Sequence, residues 1–224
     1  LAGSAYFQFY VGADIMDSKT NIFQLYQGGI GLGEKEYYLE DDEATKKIRD
    51  GYKAHIVKMF QLIGQDEKQA TKSMEAVMEI ETRLAKKSFN AVEQRNPAAN
   101  YHMLTLDELK KQIPGFDWDA YISAVGVKGV TSLNVSQIEP VQEAVAIINS
   151  LPMDKQKAYL QWKLIDSAAS YLSDAFVAQN FEFYGKVMSG KKEDQPRWKK
   201  AVGTVNGVLG EAVGQMYVEK YFPA

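Results

Sequence analysis

Apolar residues recur at three- and four-residue spacing along most of the chain, which is the period of helices that bury one face. One such line runs from Asp41 through Ile48, Tyr52 and Met59 and predicts a helix of about six turns. Gly64 follows this line and predicts a left-handed helix stop, because glycine adopts positive φ at no steric cost.

A second helix is predicted to begin near Asp66. Its glutamates, Glu75, Glu79 and Glu81, alternate with lysines and are expected to face the solvent. We expect this helix to end near Asn96–Pro97, because the residue before a proline is pushed out of helical geometry.

The middle of the chain is more broken and contains two capping-box patterns, which mark helix starts. These are Thr105 with Glu108, and Ser136 with Glu139. Between them, residues 127–135 are a candidate strand that follows two turn-forming glycines, and the first dozen residues hold the other strand candidate.

Two further helices are predicted in the last third of the chain. After Pro152 a long helix is expected to carry an aromatic-rich core stripe of Tyr159, Trp162, Ile165, Ala169, Leu172 and Phe176. After Pro196 a final helix is expected to bury Val202, Val205, Leu209, Ala212, Val213 and Met216. The pattern as a whole predicts an all-α fold, with residues 1–224 forming one helical domain and at most one or two short strands.

The composition is that of a globular protein, with 46% hydrophobic residues, 25% charged residues and a net charge of -3. This charge offers no basic surface, and we expect no nucleic-acid partner. The absence of cysteine excludes disulfides and thiol chemistry but leaves the compartment open. We expect no membrane span in this segment, and the start at Leu1, which lacks a signal-peptide pattern, is interpreted as that of a trimmed chain.

The candidate chemistry is sparse. A helix-borne zinc hydrolase site needs two histidines one turn apart with an adjacent glutamate, and neither His55 nor His102 meets that pattern. Glu75 and Glu79 lie one turn apart without a histidine to complete a metal site, and we interpret them as a solvated face. The glycine-rich residues 28–33 lack the lysine and hydroxyl of a nucleotide loop, and we interpret them as a flexible turn. We therefore predict no catalytic, cofactor-binding or metal residue, and leave the substrate-binding residues unassigned.

Several segments, read in order, resemble the non-catalytic half of neprilysin and the endothelin-converting enzymes. They begin with Gln27-Gly-Gly-Ile-Gly-Leu-Gly33, Glu36-Tyr-Tyr-Leu39, Ile48-Arg49 with Tyr52, and Leu62-Ile-Gly64. They continue with Asn96-Pro97, Tyr101-His-Met103 and Pro114-Gly-Phe-Asp-Trp118. They end with Phe181-Glu-Phe-Tyr184, Pro196-Arg-Trp198 and Gly210-Glu-Ala-Val-Gly214. Gly33 stands where relatives usually place proline, and Ala201 stands where animal members carry cysteine, which fits a bacterial, disulfide-free relative.

This resemblance implies a two-domain zinc metalloendopeptidase or oligopeptidase, in which a helical lid closes over a catalytic domain and admits only short peptides. The zinc, its ligands and the catalytic domain are then expected in sequence beyond Ala224, and this fragment alone is predicted to be inactive. The implied partners are short peptides and the C-terminal catalytic domain of the same chain, and the cell envelope or periplasm is favoured as the location.

A stand-alone helical binding or scaffold module without a catalytic half is the alternative interpretation. An independent hydrolase with an unfamiliar site is a third one, which the shortage of nucleophile, base and ligand combinations disfavours.

Overall fold

The computed structural model describes residues 5–222, which form helices around one small sheet. The strands are Phe7–Ala13 (β1), Asn21–Gln27 (β2), Met103–Thr105 (β3) and Ser132–Val135 (β4). The helices are Glu36–Leu39 (α1), Glu43–Leu62 (α2), Glu67–Lys87 (α3), Ala91–Gln94 (α4), Leu106–Gln112 (α5), Trp118–Ala124 (α6), Ile138–Ser150 (α7), Met153–Ala168 (α8), Asp174–Asn180 (α9), Arg197–Val208 (α10) and Gly210–Tyr221 (α11). Among the residues described, no helix is long and apolar enough to cross a membrane.

The four strands form one mixed sheet in the order β1-β2-β4-β3. β2 pairs antiparallel with β1 and parallel with β4, where Phe23 faces Leu133. The expectation of a mostly helical chain is confirmed, but the limit of one or two strands is wrong. β2 escaped detection because both of its faces are covered, so its buried residues show no alternation. The two strand candidates, in the first dozen residues and in residues 127–135, are confirmed by β1 and β4. β3 is only three residues long, too short for a periodic signal.

The first two long helices begin where the sequence predicted. The Asp42 carboxylate accepts the backbone N–H groups of Ala44 and Thr45 at the start of α2, and Gly64 beyond its end has φ +96°. Asp66 caps α3 in the same way. The predicted end of α3 near Asn96–Pro97 is wrong, because the helix stops at Lys87.

The capping boxes have different outcomes. At Thr105 the box is confirmed, since the hydroxyl accepts from the Glu108 N–H and the Glu108 carboxylate accepts from the Thr105 N–H. At Ser136 the box is wrong, because Gln137 is the residue that precedes α7 and its side chain does not cap the helix.

The aromatic stripe of α8 is buried as predicted from Tyr159 to Ala169, but the long helix does not continue. A short 3-10 turn, Ala169–Tyr171, follows α8, and α9 begins a new helix at Asp174. Leu172 therefore lies at the surface, and Phe176 is half-buried on α9. A π-helical segment, Phe181–Met188, continues from α9.

The final predicted helix is two helices, α10 and α11, which meet at Leu209. We call residues 197–222 the C-terminal arm. The expected buried face of this arm is wrong for residues 5–222, because no side chain of α10 or α11 is buried there. The amphipathic pattern is present, but the described chain provides no surface that covers it.

Candidate functional site

The two histidines lie on separate elements and in different surroundings. His55, on α2, is 1% exposed, and its Nδ1 lies 3.1 Å from Nε2 of Gln179. His102 precedes β3, where its Nδ1 lies 3.0 Å from the carbonyl oxygen of Val135. Within residues 5–222 no three His, Cys, Asp or Glu side chains are grouped so as to hold a metal ion. The zinc that the resemblance implies therefore does not fit the residues described, and the absence of catalytic residues stays a prediction.

The acidic face of α3 is only partly solvated. Glu75 is exposed, and Glu79 forms an ion pair with Lys155 of α8. Glu81, by contrast, is 0% exposed, so its predicted solvent position is wrong. Spacing carried the missing signal, because Glu81 lies four residues after Val77 and four before Ala85, on the buried side of the helix.

The buried carboxylate of Glu81 is held by two tyrosines. The Tyr38 hydroxyl donates to Glu81 Oε2 at 2.6 Å, and the Tyr52 hydroxyl donates to the same oxygen at 3.0 Å. Trp162 Nε1 donates to the Tyr52 hydroxyl at 3.0 Å, which adds α8 to the network. Burial raises the pKa of Glu81, while the charge of Lys163 and the tyrosine hydrogen bonds oppose that rise. We call Tyr38, Tyr52, Glu81 and Trp162 the Glu81 cluster.

The Glu81 cluster anchors the glycine-rich residues 28–33, which we call the glycine loop. The Tyr38 hydroxyl accepts from the backbone N–H groups of Gly31 at 3.0 Å and Leu32 at 2.9 Å. The Tyr159 hydroxyl donates to the carbonyl oxygen of Gly29 at 2.7 Å. These bonds fix the loop in the structure, so the interpretation as a flexible turn is not supported.

Glycine is required in this loop by close packing. A Cβ atom on Gly31 would overlap the Tyr52 hydroxyl, and Gly29 combines φ +90° with a close approach to Leu84. Gly33 has open space around it among the described residues. The loop therefore has a packing role, since its glycines let the backbone reach the hydroxyls of the core.

A second buried polar group surrounds His55. Its Nε2 has no hydrogen-bond partner among the described residues and lies 4.0 Å from Oδ1 of Asp166, which accepts from the Tyr184 hydroxyl at 3.0 Å. The ring stacks on Phe183 at 5.1 Å. Burial lowers the pKa of His55 to about 4 and raises that of Asp166, so the imidazole is neutral at neutral pH.

Two of the segments that carry the family resemblance, residues 181–184 and 96–103, differ in their burial. In the π-helical segment Phe183 is buried and Tyr184 is half-buried, so these aromatics pack towards the core. Along residues 96–102, Asn96 is exposed and His102 is half-buried beside the end of the sheet. The Glu81 cluster is enclosed by protein, and its hydrogen bonds hold the glycine loop against α1, α2, α3 and α8.

Comparison with known proteins gives a consistent result. The sequence profile of peptidase family M13, for its N-terminal part, matches residues 1–224. Endothelin-converting enzyme 1 of Rattus norvegicus is 28% identical over 98% of this chain, and an endothelin-converting enzyme homolog of Locusta migratoria is 29% identical over 96%. The chain spans only 29% and 31% of the lengths of these two relatives.

The zinc metalloprotease ZMP1 of Mycobacterium tuberculosis, in its open state, is a similar solved structure. It is 31% identical to this chain, with a TM-score of 0.91, over 99% of this chain and 34% of that protein. PepO of Lactobacillus rhamnosis shares the fold at 19% identity, with a TM-score of 0.78, over 98% of this chain and 35% of that one. The chain therefore belongs to peptidase family M13, the zinc metallopeptidases of the neprilysin and endothelin-converting enzyme type, and corresponds to their N-terminal part.

Proposed function

We propose that this chain is the non-catalytic lid of a zinc metallopeptidase, which encloses a chamber and admits short peptides while excluding large substrates. The observation that carries the proposal is the similarity to ZMP1, a zinc metalloprotease of which this chain covers 34%. The described residues supply no metal-ligand group, which supports placing the zinc chemistry on other parts of such a polypeptide.

The internal architecture suits a wall that keeps its shape. The Glu81 cluster joins α1, α2, α3 and α8 through hydrogen bonds that are shielded from water. Buried polar networks of this kind rigidify a core when every member is satisfied. A rigid wall excludes substrates by size, and hinge motion between domains would then gate entry and release.

The partners follow from the same proposal. Short peptides are the substrates of the parent enzyme, zinc is its cofactor, and the catalytic domain of the same polypeptide is the partner of this chain. We place the parent protein in the bacterial cell envelope or periplasm.

Peptide cleavage tests the division of labour. The purified 224-residue chain, incubated with zinc and a mixture of short peptides, is expected to show no chelator-sensitive cleavage. The complete polypeptide encoded by the gene is expected to cleave the same mixture. Chelator-sensitive cleavage by the short chain would refute the assignment of catalysis to other residues.

Substrate size tests the lid itself. Peptides of graded length and an unfolded protein of the same composition are offered to the complete polypeptide, and cleavage is expected to fall steeply with length. Equal cleavage of the unfolded protein would refute size exclusion. Reading the gene beyond Ala224 separates the alternative, because a His-Glu-x-x-His helix supports the enzyme and a stop codon supports the stand-alone module.

A further inference from the structure

The C-terminal arm exposes an unusual amount of apolar surface. Trp198 is 64% exposed, although the side chain is largely apolar. The other large apolar side chains exposed on the arm are Val202, Val205, Val208, Leu209, Met216, Tyr217, Val218, Tyr221 and Phe222. Exposed apolar surfaces of this extent mark interaction sites.

The rest of the described chain does little to hold the arm. None of its side chains belongs to the hydrophobic core of residues 5–196. Arg197 lies 3.9 Å from Asp174 with both side chains almost fully exposed, and Lys200 pairs with Asp194 in the loop directly before the arm; surface ion pairs of this kind contribute little. Helices of about 12 residues are marginal in water on their own, and each helical glycine costs about 1 kcal/mol relative to alanine. The arm contains glycines at 203, 207, 210 and 214, so its helices need a partner.

Helix α10 has two different faces. Trp198, Val202 and Val205 follow one another at three- and four-residue spacing and form an apolar stripe. Gly203 and Gly207 lie on the opposite face, one turn apart. Apart from the chain neighbours and the helix's own backbone, no heavy atom of residues 5–222 lies within 4 Å of a Cβ placed on either glycine. Small residues let another backbone approach a helix closely, so this second face also suits a protein neighbour.

We infer that the C-terminal arm is clasped on both faces of α10 by the part of the same polypeptide that lies outside residues 1–224. The inference rests on the proposed function, in which the same polypeptide includes a catalytic domain outside these residues. The fold of this chain, arm included, matches the much longer ZMP1 with a TM-score of 0.91 over 99% of its residues, and about two thirds of that protein is left to act as the partner.

Other occupants fit the arm less well. A second copy that packs on the Trp198 stripe would leave the glycine face uncovered. A lipid surface requires a strongly charged face along the whole helix, whereas the charged residues of α10, Arg197, Lys199 and Lys200, are confined to its first turn and are followed on that side by Gly203 and Gly207. The arm carries four basic and two acidic side chains, a net charge of +2, which is a weak attraction to anionic lipid.

Hydrogen–deuterium exchange of the complete polypeptide tests the inference. Amides of α10 are expected to exchange at least about 100-fold more slowly in the complete polypeptide than in the 224-residue chain. Val202→Asp and Gly207→Leu are each expected to abolish that difference. Thr204→Asp and Thr204→Leu place the same side chains on a flank between the two faces and are expected to retain it.

Protection of α3 in the same samples reports whether each variant is folded, and Val202→Ala and Gly207→Val serve if a larger change unfolds the protein. Unprotected α10 in the complete polypeptide overturns the inference. Loss of protection in Val202→Asp alone overturns the two-sided clasp. Protection that depends on protein concentration, or on vesicles of phosphatidylcholine and phosphatidylglycerol, assigns the arm to a second copy or to lipid and also overturns it. Peptidase activity of the complete polypeptide is measured separately, so that failure of the proposed function is distinguished from failure of the clasp.

Discussion

The Tyr38 hydroxyl makes three hydrogen bonds beneath the glycine loop, and Tyr38→Phe tests whether the Glu81 cluster stabilises the fold. The substitution removes a hydrogen bond to a buried carboxylate, worth about 1.5–3 kcal/mol, while it keeps the ring and its packing. It also leaves the N–H groups of Gly31 and Leu32 without their acceptor, at about 1–3 kcal/mol for each group that stays buried.

These contributions overlap because the loop can relax, so we expect a loss of roughly 3 kcal/mol in the free energy of unfolding. Urea denaturation of the 224-residue chain measures it as a lower midpoint with an unchanged slope. Tyr10→Phe is the matched control, since the Tyr10 side chain is 51% exposed, and we expect a change within about 0.5 kcal/mol.

A double-mutant cycle with Glu81→Gln isolates the Tyr38–Glu81 interaction from other effects of either change. We expect a coupling free energy of at least about 1 kcal/mol, because the two side chains meet at 2.6 Å without water access. The reasoning would be refuted by a Tyr38→Phe variant as stable as Tyr10→Phe, or by additive effects in the cycle.

Three further predictions concern the buried polar groups and the glycine loop. The pKa of His55 is lowered from 6.5 to about 4, so its contribution to stability is present above pH 6.5 and is lost as the pH falls towards 4. Between pH 7 and pH 4 the unfolding free energy of the wild type is expected to fall by roughly 3 kcal/mol more than that of His55→Phe. Equal pH dependence of the two proteins would contradict this. The pKa of Glu81 is raised by burial, so its contribution is present below about pH 4.5 and is lost as the pH rises; the stability of Glu81→Gln relative to the wild type should therefore increase from pH 4 to pH 7. Gly31→Ala should destabilise by about 1–3 kcal/mol in urea through overlap with Tyr52, whereas the control Gly203→Ala, in open space on a helix, should stabilise slightly.

Local signals in the sequence predicted much of the helical frame. The helix starts near Asp41 and Asp66, the stop at Gly64 and the Thr105 capping box depend on residues a few positions apart, and the structure contains each of them. These features are set by backbone hydrogen bonds at helix ends, which nearby side chains decide.

Features that depend on distant partners were missed. Glu81 was assigned to solvent because carboxylates are seldom buried, and its tyrosine partners lie 43 and 29 positions away in the sequence. The amphipathic pattern of the C-terminal arm was recognised, but a pattern states that a face needs cover and does not state which chain provides it. The anchoring of the glycine loop likewise required knowledge of where the Tyr159 hydroxyl lies.

The parallel pairing of β2 with β4 has a consequence for synthesis of the protein. Phe23 and Leu133 are neighbours in the sheet but 110 positions apart in the chain. A ribosome must therefore make more than half of this segment before β2 can pair with β4. Until then the hairpin of β1 and β2 has an unpaired strand edge, and the side chains of β2 that become buried are still uncovered. Nascent chains stalled after β2 and before β4 should be the species that bind holdase chaperones most strongly.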